Sequence, residues 1–243
     1  MPWRKRLYRK WVSARNRLLA VPETGHVRFG DLRRVEPFAR HFGTDRGQAI
    51  DRHYIEAFLE SRSADIRGHV LEVGDDSYTR RFGGQRVTQT DVLNIDARNP
   101  RATIVADLQD APQIPDDRFD CIILTQVLHL IYEPRSAVRT LHRILRPGGV
   151  LLLTTPGLCQ VPHGTVWAHT WYWSFTQLAT SRMLEESFGE GRVAVESSGN
   201  VLSATAMLYG LAAEDLATSD LGVHDPDYPV IITARAQKRP AGG

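Results

Sequence analysis

A short apolar run, Val70-Leu71-Glu72-Val73, ends on Gly74 and gives way to the polar loop Asp75-Asp76-Ser77. A run of this length closed by a turn residue reads as a buried strand. The pattern recurs: Val87–Asp91, Thr103–Ala106 followed by Asp107, Phe119–Leu124 and Val150–Thr154 are further strand candidates. Before the last of these, Pro134 stands at a first helical position, and Ala137, Val138, Leu141, Ile144 and Leu145 recur at helical spacing. Arg146-Pro147-Gly148-Gly149 then ends the helix. Strands alternating with helices predict an α/β, doubly wound, mostly parallel sheet with helices on both faces. Ligands of such sheets sit beyond the carboxyl ends of the strands. Gly74 is therefore the place to look for a cofactor, because only glycine turns there with no side chain in the way.

The remaining segments fit around that sheet. Asp51 can cap a helix over Arg52–Ser61, which would pack on the sheet edge. About a dozen residues, Asp75–Arg86, join the first two strands, near the minimum of ~10–12 for a parallel crossover. The connecting helix is then little more than a turn around Thr79–Phe82. An aromatic stretch holding Trp167, His169, Trp171, Tyr172, Trp173 and Phe175 precedes a helix over Gln177–Phe188. Arg192–Glu196 and Tyr228–Ala234 read as two more strands. The division expected is a basic extension over 1–30, one domain over 31–238 and a tail over 239–243.

With 243 residues, 42% hydrophobic and 24% charged, the chain is ordinary for one soluble domain. A net charge of +2 gives no global field for nucleic acid. Cys121 and Cys159 lie in or beside apolar runs and read as small buried hydrophobes. No His/Cys cluster suggests a metal, and a reducing cytoplasm is the default compartment. Charges interrupt the first twenty residues, so they form neither a signal-peptide core nor a membrane span. Arg4, Lys5, Arg6, Arg9, Lys10, Arg15 and Arg17 stand there with Trp3, Leu7, Trp11, Leu18 and Leu19 interspersed, and no acid precedes Glu23. Two readings are open for residues 1–20: an amphipathic helix in peripheral contact with an anionic membrane, and a solvated tail.

The succession of strand and acid, then strand, helix, Pro-Gly-Gly and strand, resembles a class I S-adenosylmethionine-dependent methyltransferase of the small-molecule group. The matching stretches are Val70–Gly74, Ala106-Asp107-Leu108, Phe119-Asp120-Cys121-Ile122-Ile123 and Leu141-His142-Arg143-Ile144-Leu145-Arg146-Pro147-Gly148-Gly149. Trp173-Ser174-Phe175-Thr176 is similar to a segment such enzymes carry before their last helix. The resemblance covers roughly residues 65–190. It implies a Rossmann-like single domain whose last strand is antiparallel at one edge, S-adenosylmethionine as cofactor, no metal, and a small molecule or saccharide as acceptor. The family's glycine loop keeps only its first glycine here. Asp76 and Tyr78 stand where two others would be.

Candidate roles follow from chemistry and resemblance together. Gly74 lets the backbone approach the cofactor's methionine half, beside Glu72 and Asp75. An acid at the end of the second strand, Asp91, can accept two hydrogen bonds from ribose hydroxyls. Asp96 is its rival if the strand runs longer. Asp107 would take the adenine amino group by analogy with the family. Past the fourth strand, Gln126 completes the cofactor contacts and His129 is the candidate general base. An equal reading of His129 is a histidine capping or underlying the next helix. The aromatic stretch reads as an acceptor lid, as core, or as both. A membrane-leaning N-terminus with such a lid would suit a glycan or glycolipid acceptor. The alternative to an enzyme is a non-catalytic binding or scaffolding protein on the same fold, which the altered glycine loop favours.

Overall fold

A computed structural model of the chain describes residues 2–164 and 166–242. The side chains of Trp3, Arg9, Arg17 and Trp167 lie outside the described residues. The chain divides into two compact units, residues up to 36 and residues from 37 onward. The first unit carries helix α1, Pro2–Leu18. On it Leu7, Tyr8, Trp11 and Leu18 are exposed, and Tyr8 stacks against Trp11 at 6.4 Å.

The second unit is built on a seven-stranded sheet. Its strands are β1 Gly68–Val73, β2 Val87–Asn94, β3 Ile104–Val105, β4 Phe119–Thr125, β5 Leu145–Pro156, β6 Val193–Ser198 and β7 Ile231–Gln237. Their order is β3-β2-β1-β4-β5-β7-β6. The first five run parallel to one another, and β7 pairs antiparallel with both β5 and β6. The doubly wound, mostly parallel α/β sheet expected from the sequence is therefore present, with antiparallel pairing at one edge. The final strand lies one place in from that edge, and β6 lies outside it.

Alternation along each strand sends side chains to opposite faces. On β4, Ile122 and Leu124 face one core and Cys121 and Ile123 the other. The first core is closed by α3 Pro134–Ile144 and α4 Gln177–Phe188, through Val138, Leu141, Leu184 and Phe188. The second is closed by α2 Ile50–Ser61 and α5 Val201–Leu208, through Ile55, Leu59 and Met207. Helix α2 thus covers a sheet face and not the edge. Its apolar stripe, Ile50, Tyr54, Ile55 and Leu59, is too wide for an edge position. Asp51 is not its cap: the helix starts one residue earlier, and the Asp51 carboxylate accepts from its neighbour Arg52 N.

Two other boundaries moved for the same reason, continued strand pairing. Strand β2 runs on to Asn94 because Val92 and Leu93 are buried against β1. Arg146–Gly149 lies within β5 as an irregular step, with Leu145 paired to Phe119 and Gly148 at φ +82°. The crossover after β1 is a single wide turn, Thr79–Gly83, followed by a tighter one at Gly84–Arg86. A final short helix, α6 Thr218–Leu221, precedes β7. Among the described residues no helix is long and apolar enough to cross a membrane.

Candidate active site

At the carboxyl ends of β1, β2 and β4 lies a cavity of about 530 Å³. Gly74, Asp75, Asn94, Asp107 and Gln126 all line it, which is where a sheet of this topology places a ligand. Gly74 N donates to Leu93 O at 2.9 Å and Asn99 Nδ2 donates to Gly74 O at 2.7 Å. These bonds fix the turn at φ +98°, a conformation other residues rarely adopt. A Cβ built on Gly74 meets nothing within 4 Å, so the missing side chain leaves open room at the turn.

Glu72 organises the loop that follows. It is 3% exposed, and its two carboxylate oxygens accept from Tyr78 N at 3.2 Å and Thr79 N at 2.7 Å. Burial pushes its pKa up to about 7, against the pull of those N–H groups. Asp75 accepts from Ser77 N at 2.8 Å and from the Ser77 hydroxyl, and so holds the loop's shape. Asp76 turns aside to Arg80 at 3.0 Å and does not line the cavity. Tyr78 does line it, and its hydroxyl accepts from Arg52 Nη1 at 3.3 Å. On the opposite rim, Asp107 accepts from Gln109 N and Nε2 at 2.9 and 3.0 Å.

Asp91 does not belong to this cavity. Its carboxylate accepts from Thr103 Oγ1 at 2.6 Å and Arg118 Nη2 at 2.6 Å, and it lies 2.8 Å from His69 Nε2. Burial alone would raise its pKa; the bonds from Thr103 and His69 and the charge of Arg118 outweigh that and hold it low. The strand continues three residues beyond it, roughly 10 Å at 3.3 Å per residue. The residues that reach the cavity from β2 are Leu93 and Asn94, with Ile95 just past the strand end. Asp96 follows and pairs with Arg98 at 2.7 Å, outside the cavity lining.

His129 is likewise displaced from the main cavity. It sits on the turn Leu128–Leu130 and lines a neighbouring cavity of about 170 Å³. Gln126, Leu130 and Arg52 line both, so the two hollows share a wall. His129 is 2% exposed, its ring lies 4.3 Å from that of Trp171, and its carbonyl accepts from Tyr172 N at 3.0 Å. Burial pushes its pKa down to about 4. The aromatic stretch divides between roles: Phe175 is core, Trp171 lines the smaller cavity, and Tyr172 and Trp173 are exposed beside Tyr132. His142 packs edge-on against Phe188 in the core region.

Sequence reasoning missed Asn94, Ile95 and Phe42 as cavity residues. The signal for the first two was the apolar pair Val92-Leu93, which prolongs the strand past its acid. For Phe42 there was none, because its loop is brought in only by the fold. Among the described residues, no group of three or more His, Cys, Asp or Glu side chains could hold a metal ion.

Residues 73–153 match a family described as a methyltransferase domain. A protein of Mycolicibacterium smegmatis named as a probable S-adenosylmethionine-dependent methyltransferase is 35% identical over 78 residues, 32% of this chain and 30% of that protein. The chain thus matches less than a third of the length of its curated relatives. The crystal structure of the cyclase SpnF superposes with a TM-score of 0.51 at 20% identity, covering 81% of this chain and 84% of that one. The N-methyltransferase NodS of Bradyrhizobium japonicum, in complex with S-adenosyl-L-homocysteine, gives a TM-score of 0.50 at 13% identity, covering 79% and 89%. At these identities the structural likeness is one of fold alone.

Proposed function

We propose that the chain is a class I S-adenosylmethionine-dependent methyltransferase, as its match to a methyltransferase domain over residues 73–153 supports, and that it transfers the cofactor's methyl group to a small-molecule acceptor. The observation that carries this reading is the 530 Å³ cavity at the carboxyl ends of β1, β2 and β4. Its residues fit the cofactor. The open room at Gly74 lets a ligand lie against the backbone. Glu72, Asp75 and Asp107 give the lining a negative character suited to a ligand carrying a sulfonium and an ammonium.

In this reading Gly74 and Asp75 receive the methionine half. Asn94 and Ile95, at the end of β2, receive the ribose in place of Asp91. Asp107 and Leu108 receive the adenine, and Gln126 stands between cofactor and acceptor. Bound S-adenosylmethionine supplies an electrophilic methyl group. The protein's contribution is to align it with the acceptor and to exclude water. His129, neutral at pH 7, is placed in the adjoining cavity to take the acceptor's proton.

Two finer features belong to this proposal. The exposed rings of Tyr132, Tyr172 and Trp173, 5.2–6.4 Å apart, can stack on a saccharide portion of the acceptor. Helix α1, basic and with exposed Leu7, Trp11 and Leu18, suits peripheral contact with an anionic membrane. A second reading, a binding protein without catalysis, draws on Tyr78, which fills part of the cavity wall where the family has glycine. Crystals grown with S-adenosylhomocysteine test the main reading. Ligand density running from Gly74 past Asn94 to Asp107 is expected. Density elsewhere on the molecule, or none, would contradict it.

A further inference from the structure

Three buried polar atoms without a hydrogen-bond partner belong to residues lining the 170 Å³ cavity: Gln126 Nε2, His129 Nδ1 and Trp171 Nε1. Among the described residues only four others are in that state, at Arg62, Thr79, Thr154 and Thr155. Leaving a buried donor or acceptor unmet is destabilising, so three around one small hollow point to an occupant. Backbone strain gathers there too. Of the four described non-glycine residues at positive φ, Phe42 (+57°) and Gln126 (+56°) line this cavity. Strain of this kind persists only where surrounding structure imposes it, and it collects at ligand sites. Phe42 is held by its neighbour Gly43, on which a Cβ would lie 2.4 Å from Leu211 O.

We infer that this cavity is the acceptor subsite and takes a flat ring bearing a weakly acidic hydroxyl, a phenol or enol, whose oxygen is methylated. The inference rests on the methyl-transfer reading and names its substrate class. Phe42, Trp171, Pro156 and Met207 give the hollow apolar walls, and it is small beside the ~300–1,000 Å³ of drug-sized ligand sites. Phe42 and Trp171 lie nearly parallel, 12° apart at 6.3 Å. These walls suit an aromatic ring better than a sugar. The Gln126 and Trp171 N–H groups need an acceptor with lone pairs. An oxygen provides them, an ammonium does not, and a thiol does so weakly. Asp51 and Arg52 stand side by side in the lining and offset each other's charge, which suits an acceptor that binds uncharged.

The step balances. The acceptor oxygen bonds to the methyl carbon, and the carbon–sulfur bond breaks with its electron pair kept by sulfur. The hydroxyl proton passes to the His129 ring and from there to water. One positive charge leaves the cofactor as another arises on the imidazole, so the site's net charge is unchanged while it is closed.

The test uses the full chain loaded with S-adenosylhomocysteine and titrated with 4-nitrophenol by calorimetry and absorbance. Binding of the homocysteine compound is measured first, so failure of the cofactor reading shows there and is distinct from failure here. One-to-one binding of 4-nitrophenol is expected. Ala49→Leu, which fills the small cavity from its wall, should weaken it at least tenfold with cofactor-product binding retained. Should that variant not fold, Trp171→Phe removes the indole N–H together with part of the ring wall and should weaken it severalfold. With S-adenosylmethionine, methylation of 4-nitrophenol should fall about 100-fold in His129→Asn, again with cofactor-product binding retained. No 4-nitrophenol binding by a protein that binds S-adenosylhomocysteine would overturn the inference. So would binding indifferent to these substitutions, or methylation of methyl glucoside and of no phenol.

Discussion

The Asp91 carboxylate lies 2.6 Å from Arg118 Nη2, on the side of β2 away from its carboxyl end. With His69 at 2.8 Å and Thr103 at 2.6 Å, this acid is a tie between three strands' neighbourhoods and does not line the main cavity. Asp91→Ala would strand His69 and the partly exposed Arg118 without their anion. A loss of about 1–3 kcal/mol in unfolding free energy is expected by denaturant titration, with cofactor affinity changed less than twofold. A tenfold loss of affinity in a protein of unchanged stability would return Asp91 to the ligand.

Glu72 sets a pH dependence. Its pKa is about 7 when folded, against about 4.3 for an unstructured glutamate. Between those values the folded state binds the extra proton. Stability contributed by this group is therefore greatest below about pH 4.3 and is lost as pH rises through 7, by at most roughly 4 kcal/mol. A cationic ligand beside it favours the ionised form. Affinity for S-adenosylmethionine should rise across pH 6–8 with release of a proton, seen as a buffer-dependent binding enthalpy. Glu72→Gln should flatten both dependences.

Gly74 and Asp107 both line the main cavity. Gly74→Val puts a branched side chain at φ +98° and into the open room. It should cost about 1 kcal/mol or more of stability and weaken cofactor binding beyond tenfold. Asp107→Ala removes a half-buried rim acid whose carboxylate accepts from Gln109. It should weaken binding severalfold and leave the melting temperature within a few degrees.

The N-terminal helix carries its own prediction. Full-length protein should co-sediment with phosphatidylserine vesicles at low salt and be released as ionic strength rises, since the attraction is largely electrostatic. Deletion of residues 1–20 should abolish sedimentation and leave cofactor binding intact. Unchanged sedimentation after deletion would remove the membrane contact from the proposal.

The sheet was legible because its strands are short apolar runs closed by glycine or acid, and α3 because its stripe and its Pro134 start are regular. The glycine turn and Asp107 could be placed from strand ends that were read to within two residues. Asp91 could not. An acid inside a strand looks like an acid ending one until its partners, His69 and Arg118, are known, and both come from elsewhere in the chain. The smaller cavity was hidden for the same reason. Phe42, Ala49, His129, Trp171 and Met207 come from five separate segments, and no local pattern relates them.

Calorimetric titration of the full chain with S-adenosylhomocysteine tests the central claim most directly. One site per chain is predicted, with binding lost in Gly74→Val and kept in Asp91→Ala. Absence of heat with this compound and with S-adenosylmethionine, in folded protein across pH 6–8, would contradict it and leave the fold with a different task.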